Sequence, residues 1–172
     1  FTGRLAWFPD EYASRIGIKQ GAKRKQKYTA PSWMMDYQRG ISELAIRKQK
    51  YCVFADCGMG KTPIMLEHAR YAHKETGKPG LIVSPLMVIK QTVSEAAKFY
   101  GTKYKLEQVS AKDLPSFLAK GAGIGITNYE AIKDELDASR LGCLSLDESS
   151  LLKSHYGKWG TKLIEMGKGI PY

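Results

Sequence analysis

From Tyr51 to Asp147 the chain alternates short apolar runs with stretches of helical spacing, and this alternation limits the fold more than any other feature. YCVFA (Tyr51–Ala55), LIVS (Leu81–Ser84), YKLEQV (Tyr104–Val109), GIGIT (Gly123–Thr127) and LGCLSLD (Leu141–Asp147) read as strands. Between them lie helical patterns from about Lys61 to Ala72, through Met87, Ile89, Val93, Ala96 and Ala97, and around Leu114 to Leu118. Strands separated by helices demand crossover connections, which predicts an α/β fold with a mostly parallel sheet and helices on both faces. Ligands of such sheets sit beyond the carboxyl ends of the strands. The polar motifs of this chain fall at those ends.

The most informative motif is ADCGMGKT, Ala55 to Thr62, between the first run and the first helix. A triphosphate is bound by converging backbone N–H groups, and glycines let a chain curl that tightly while adopting positive φ. Gly58 and Gly60 supply this freedom, with Cys57 and Met59 completing the loop. Lys61 reaches the β and γ phosphates, Thr62 ligates Mg²⁺, and the helix that starts there points its N-terminal dipole at the anion. Ala55 stands where the general signature has glycine. Cys57 lies where a helix N-terminus lowers a thiol pKa, but a space-filling role is the better reading.

Such a loop needs an acidic partner on another strand end. Asp147 and Glu148 in LSLDESS meet that need: Asp147 holds the magnesium, and Glu148 activates the water that attacks the γ phosphate. ATP and Mg²⁺ are therefore the expected cofactors.

Ahead of the first run, TAPSWMMDYQRGISELAIRKQK predicts a loop ending near Pro31 and then a helix with Tyr37, Ile41, Leu44 and Ala45 on one face. Trp33 either stacks on a nucleotide base or caps the core, and capping is the favoured reading. No apolar run approaches the ~20 residues that cross a bilayer, and FTGRLAWFPDEY lacks signal-peptide order, so a cytoplasmic, membrane-free protein is expected. The three cysteines form no CxxC pair, so neither a disulfide framework nor a zinc site is indicated.

A formal net charge of +10 over 172 residues suggests a polyanionic partner. The densest basic run, KQGAKRKQK with Lys23, Arg24 and Lys25, reads equally as a phosphate-tracking arm or a solvated linker. Because the sequence opens on Phe1 and stops at Tyr172 after GKGIPY, we read it as part of a longer chain.

Five segments in order, DYQRGISELA, ADCGMGKT, LIVSPLMVIKQTVSEAAKF, GIGITNYEAI and LSLDESSLLK, resemble superfamily-two DEAD/DEAH-like helicases, closest to the Swi/Snf-like branch. The resemblance runs from about Asp36 to Tyr172. It implies a basic N-terminal extension over 1–35 and, over 36–172, the first RecA-like, P-loop NTPase lobe of a helicase or translocase, incomplete at its C-terminus. By position it makes Gln38 the glutamine that recognises the adenine edge, with Tyr37 beside it. Ser84, Pro85 and Lys90 match one segment that contacts the nucleic-acid backbone, and Thr127 and Asn128, with Tyr129, match a second.

The implied partners are DNA or RNA, with DNA favoured, and a second RecA-like lobe in the same parent chain. Ser150 stands where many helicases have histidine, whereas Lys153 follows the Swi/Snf-like spacing. The family's Ser/Thr-Ala-Thr segment is expected after Tyr172, on a strand between the loop strand and the acidic strand. Without the second lobe's arginine finger, worth about 10³–10⁵ in rate in such enzymes, these residues alone are expected to hydrolyse ATP poorly. Two other functions fit the residues: a P-loop kinase or NTPase acting on a small substrate, and a non-catalytic nucleic-acid-binding module.

Overall fold

The computed structural model describes residues 28–56, 58–132, 136–148 and 158–172, with the side chains of 158 and 159 excepted. Its helices are α1 (Asp36–Lys48), α2 (Lys61–Thr76), α3 (Leu86–Tyr100), α4 (Leu114–Lys120) and α5 (Lys158–Gly167). Its strands are β1 (Gly80–Val83), β2 (Leu106–Gln108), β3 (Ile124–Thr127) and β4 (Cys143–Leu146). They form one all-parallel sheet in the order β2-β3-β1-β4.

Both faces of this sheet are covered. Ile82 of β1 packs with Leu66, Ala69 and Ala72 of α2 and Ile89 and Ala96 of α3. Its neighbours Leu81 and Val83 pack on the other side with Leu114, Phe117 and Leu118 of α4 and Leu163 of α5. The period-2 alternation of a strand thus serves two separate cores. Gly125 in β3 is needed for the second: a Cβ there would lie 2.9 Å from Val109 Cγ2 and 3.0 Å from the Phe117 ring.

The predicted first strand does not form. Tyr51–Asp56 carries no strand pairing, Val53 packs into a satellite cluster with Ala30, Met34 and Ile64, and Phe54 is 91% exposed. A strand exists only where a neighbouring ladder accepts it. On β4 the second edge is engaged by the Tyr172 backbone, whose N–H donates to Gly142 O (3.2 Å) and whose carbonyl accepts from Leu144 N (3.0 Å).

Helix α1 forms as predicted but with its inward face rotated. Its buried residues are Gln38, Ser42, Ala45 and Ile46, while Tyr37 is exposed. Trp33 is half exposed, stacked on Phe99 at 4.8 Å with an interplanar angle of 4°. With Tyr100 edge-on to it as well, Trp33 lies over two rings that pack against the core and so caps it from outside. Among the described residues no helix is long and apolar enough to cross a membrane.

One buried carboxylate ties α2 in place. The fully buried Glu67 accepts hydrogen bonds from Tyr28 (2.7 Å), from Tyr100 at the end of α3 (2.7 Å) and from two Arg70 nitrogens (2.8 Å each). Burial alone would raise its pKa. The bonds from Arg70, Tyr100 and Tyr28 outweigh that and hold the carboxyl below its ordinary value. A carboxyl depressed by folding contributes stability above its unfolded value, and this is lost as pH falls through the folded value. Urea titrations at falling pH should therefore show the midpoint declining below about pH 4. Glu67→Gln should lower the neutral-pH stability by about 2–3 kcal/mol and flatten that decline.

Candidate phosphate-loop and acid-pair site

Helix α2 starts at Lys61, the position predicted, and its N-cap is Gly60 in the left-handed region (φ 60). Gly58 also has positive φ (79). Between them the backbone curls so that the Lys61 ammonium turns back into its own loop, donating to Ala55 O (2.8 Å) and Asp56 O (3.2 Å). Pro63 is tolerated here because N–H groups in the first turn of a helix lack intrahelical acceptors.

Helix α1 fastens this loop at two consecutive residues. Gln38 Nε2 donates to Gly60 O (3.1 Å) while its Oε1 accepts from Met35 N (3.0 Å), and the Tyr37 hydroxyl donates to Met59 O (3.1 Å). Gln38 is buried, and both ends of its amide are spent on backbone. The resemblance assigns Gln38 to the adenine edge. As found, it is a brace between helix and loop. A Cβ on Gly60 would collide with the Gln38 amide, so the glycine is required for close approach as well as for its φ.

The acidic pair forms a second group. Asp147 lies just beyond β4, its N–H bonded to Val83 O (2.8 Å). Ser84 Oγ donates to Asp147 Oδ2 (2.9 Å), and the Tyr129 hydroxyl donates to Asp147 O (2.5 Å). Burial, together with the charges of Asp147 and Glu148, pushes the Tyr129 phenol up to about 12. Glu148 is exposed and has positive φ (52), a conformation costing about 1 kcal/mol for a non-glycine residue. This turns the chain sharply at the strand exit.

The two groups share one edge of the sheet. His68 Nδ1 in α2 lies 3.6 Å from Cys143 Sγ at the start of β4. The helix is followed by β1 after a short turn and runs antiparallel to the strands, with its last residue Thr76 against Gly142 at their amino end. Lys61 is seven residues before His68, about 10 Å along the axis. Asp147 is four residues beyond Cys143, about 13 Å in the same direction. Loop and acids therefore both lie at the carboxyl end.

The residues assigned to nucleic-acid contact divide. Ser84 and Thr127 are fully buried; the Thr127 hydroxyl donates to Val109 O (2.7 Å) and the Ser84 hydroxyl is bound to Asp147. Both hydroxyls are thus spent on partners inside the protein. Pro85 and Asn128 are partly exposed and Lys90 is exposed, with Asn128 Nδ2 donating to Glu130 Oε2 (2.6 Å). Lys23, Arg24, Lys25, Cys57, Ser150 and Lys153 lie outside the described residues.

Comparison with protein-family models and with curated proteins returns no match.

Sequence reasoning missed Glu67 and the Tyr129 bond to Asp147. A glutamate three residues before an arginine, on the apolar face of α2, was a usable signal for Glu67. The Tyr129 bond spans separate strand exits and has no local signature. If Gln38 is the brace described, Gln38→Ala should cost about 1–3 kcal/mol by leaving Gly60 O and Met35 N unpaired. Hydrogen exchange at the amides of 58–60 should then quicken more than at β1.

Proposed function

We propose that this chain is the ATP-binding, RecA-like lobe of a nucleic-acid-dependent ATPase of the helicase or translocase kind. The observation that carries the proposal is the shared edge: a glycine-curled loop holding a lysine at a helix N-terminus, and a tethered aspartate followed by a glutamate beyond β4. An anion fits the loop because an ammonium, first-turn N–H groups and a helix dipole converge there.

The donor set also suits magnesium. Among the described residues no three His, Cys, Asp or Glu side chains cluster to cage a metal. One carboxylate (Asp147) and one hydroxyl (Thr62) are hard oxygen donors of the kind that hold Mg²⁺ jointly with phosphate oxygens. When bound, Mg²⁺ would neutralise charge on the β and γ phosphates.

The chain's own residues then divide the work. Lys61 exchanges its bonds to Ala55 O and Asp56 O for phosphate oxygens, compensating negative charge as the γ-phosphoryl group departs. Glu148 accepts the proton from the attacking water. Gln38 and Tyr37 hold the loop backbone against α1, keeping its N–H groups aimed. The excess of basic residues, with Lys90 exposed near the same edge, favours a polynucleotide as activator.

ATPase activity of the full-length chain, assayed with and without DNA or RNA, tests this reading. Stimulation by polynucleotide is expected. Turnover indifferent to it would point to a small-substrate kinase or NTPase, and no turnover to a non-catalytic binding module. Lys61→Ala should abolish Mg-ATP binding or hydrolysis, and retained turnover would refute the loop assignment. Glu148→Gln should keep nucleotide bound while slowing cleavage by about 10²-fold or more; unchanged turnover would remove Glu148 as the base.

A further inference from the structure

We propose that Ser84 and Tyr129 are positioning residues for Asp147, aiming the metal-side carboxylate from two strand ends at once. The inference rests on the phosphate-loop reading above and adds two residues to it.

Asp147 is held at three atoms. Its N–H is bonded to Val83 O at the end of β1, its carbonyl accepts from the Tyr129 hydroxyl beyond β3, and its Oδ2 accepts from the Ser84 hydroxyl. The first two bonds fix the backbone and the third fixes the side chain. An aspartate at a strand exit otherwise samples several rotamers, and only some of them direct an oxygen toward the loop.

A hydroxyl donating to an ionised carboxylate makes a charge-assisted bond, stronger than one to a neutral acceptor. With Oδ2 committed in this way, Oδ1 has no hydrogen-bond donor among the described residues. The carboxylate thus presents one oxygen with a fixed aim.

Thr127 provides the contrast. It ends the adjacent strand, is equally buried, and spends its hydroxyl on a backbone carbonyl of the neighbouring chain segment, Val109 O. That is ordinary satisfaction of a buried polar group. Ser84, one residue beyond β1, instead bonds a side chain 63 positions away that carries the proposed chemistry. The Ser84 N–H is itself bonded to Thr127 O (2.9 Å), so the hydroxyl is carried on backbone anchored to β3.

The support is therefore rigid, as required of a group that orients a metal ligand. The serine implied as a nucleic-acid contact acts through Asp147.

The test uses the full-length chain and a fluorescent, non-hydrolysable ATP analogue, with Mg²⁺ titrated. Ser84→Ala should raise the Mg²⁺ concentration at half-saturation about 10-fold, the usual consequence of removing a group that orients a metal ligand. Affinity for the analogue in EDTA should stay as in the wild type. Ser84→Thr, which keeps the hydroxyl, should recover most of the shift, and Tyr129→Phe should move it in the same direction as Ser84→Ala. Wild-type Mg²⁺ dependence in both Ser84→Ala and Tyr129→Phe would overturn the inference, whatever their urea midpoints do, because a merely structural role lowers stability without touching the metal. A wild-type chain that fails to bind the analogue, or binds it with no response to Mg²⁺, would remove the phosphate-loop reading and this inference with it.

Discussion

The lay of α2 across the sheet is the constraint on which the candidate site depends. Leu66, Ala69 and Ala72 are fully buried against β1 and its neighbours, and at ~25 cal/mol per Å² of apolar surface this contact stabilises the helix far more than its own propensity does. Once that face is buried, the direction of the helix is set. Its first residue must then emerge at the carboxyl end of the strands, where β1 and β4 also deliver Ser84 and Asp147. Nothing in the loop or the acids brings them to a common edge; the buried middle of the helix does.

Polar contacts refine this placement. Glu67 sits on the same helix, and its four hydrogen bonds reach Tyr28 before α1 and Tyr100 at the end of α3, so rotation of α2 would strand a buried carboxylate. The penalty for an unpaired buried charge far exceeds the net gain from a paired one, which makes the cluster a device for fixing orientation. Gln38 does for the loop what Glu67 does for the helix, at the smaller scale of two backbone groups. Asp147 receives the same treatment from Ser84 and Tyr129. The helix, the loop backbone and Asp147 are thereby each held by a side chain from a different element.

Much of the architecture was legible locally. Four of the five strand runs occur as strands within a residue or two, because their apolar content has no other use than burial on two faces. The start of α2 at Lys61 was legible too, since a glycine in left-handed conformation followed by helical spacing admits few alternatives. The run Tyr51–Ala55 misled because strand formation depends on a free ladder edge, and edge occupancy is not a property of five residues. The inward face of α1 misled for a similar reason. Apolar spacing favoured Tyr37 and Leu44, but Gln38 found two backbone partners, and a satisfied amide can be buried where an unsatisfied one cannot.

By itself, then, the sequence determined the class of fold, the conformation of the glycine loop and the kinds of chemical group available, because each follows from periodicity, from the φ freedom of glycine or from side-chain identity over a few neighbouring positions. Only the tertiary structure decided which polar groups face one another: that Ser84 turns toward Asp147, that Thr127 turns toward Val109, and that Gln38 serves the loop backbone. The physical reason is that a buried hydrogen bond requires two partners at about 3 Å, and here those partners come from segments tens of residues apart whose meeting is arranged by hydrophobic burial elsewhere.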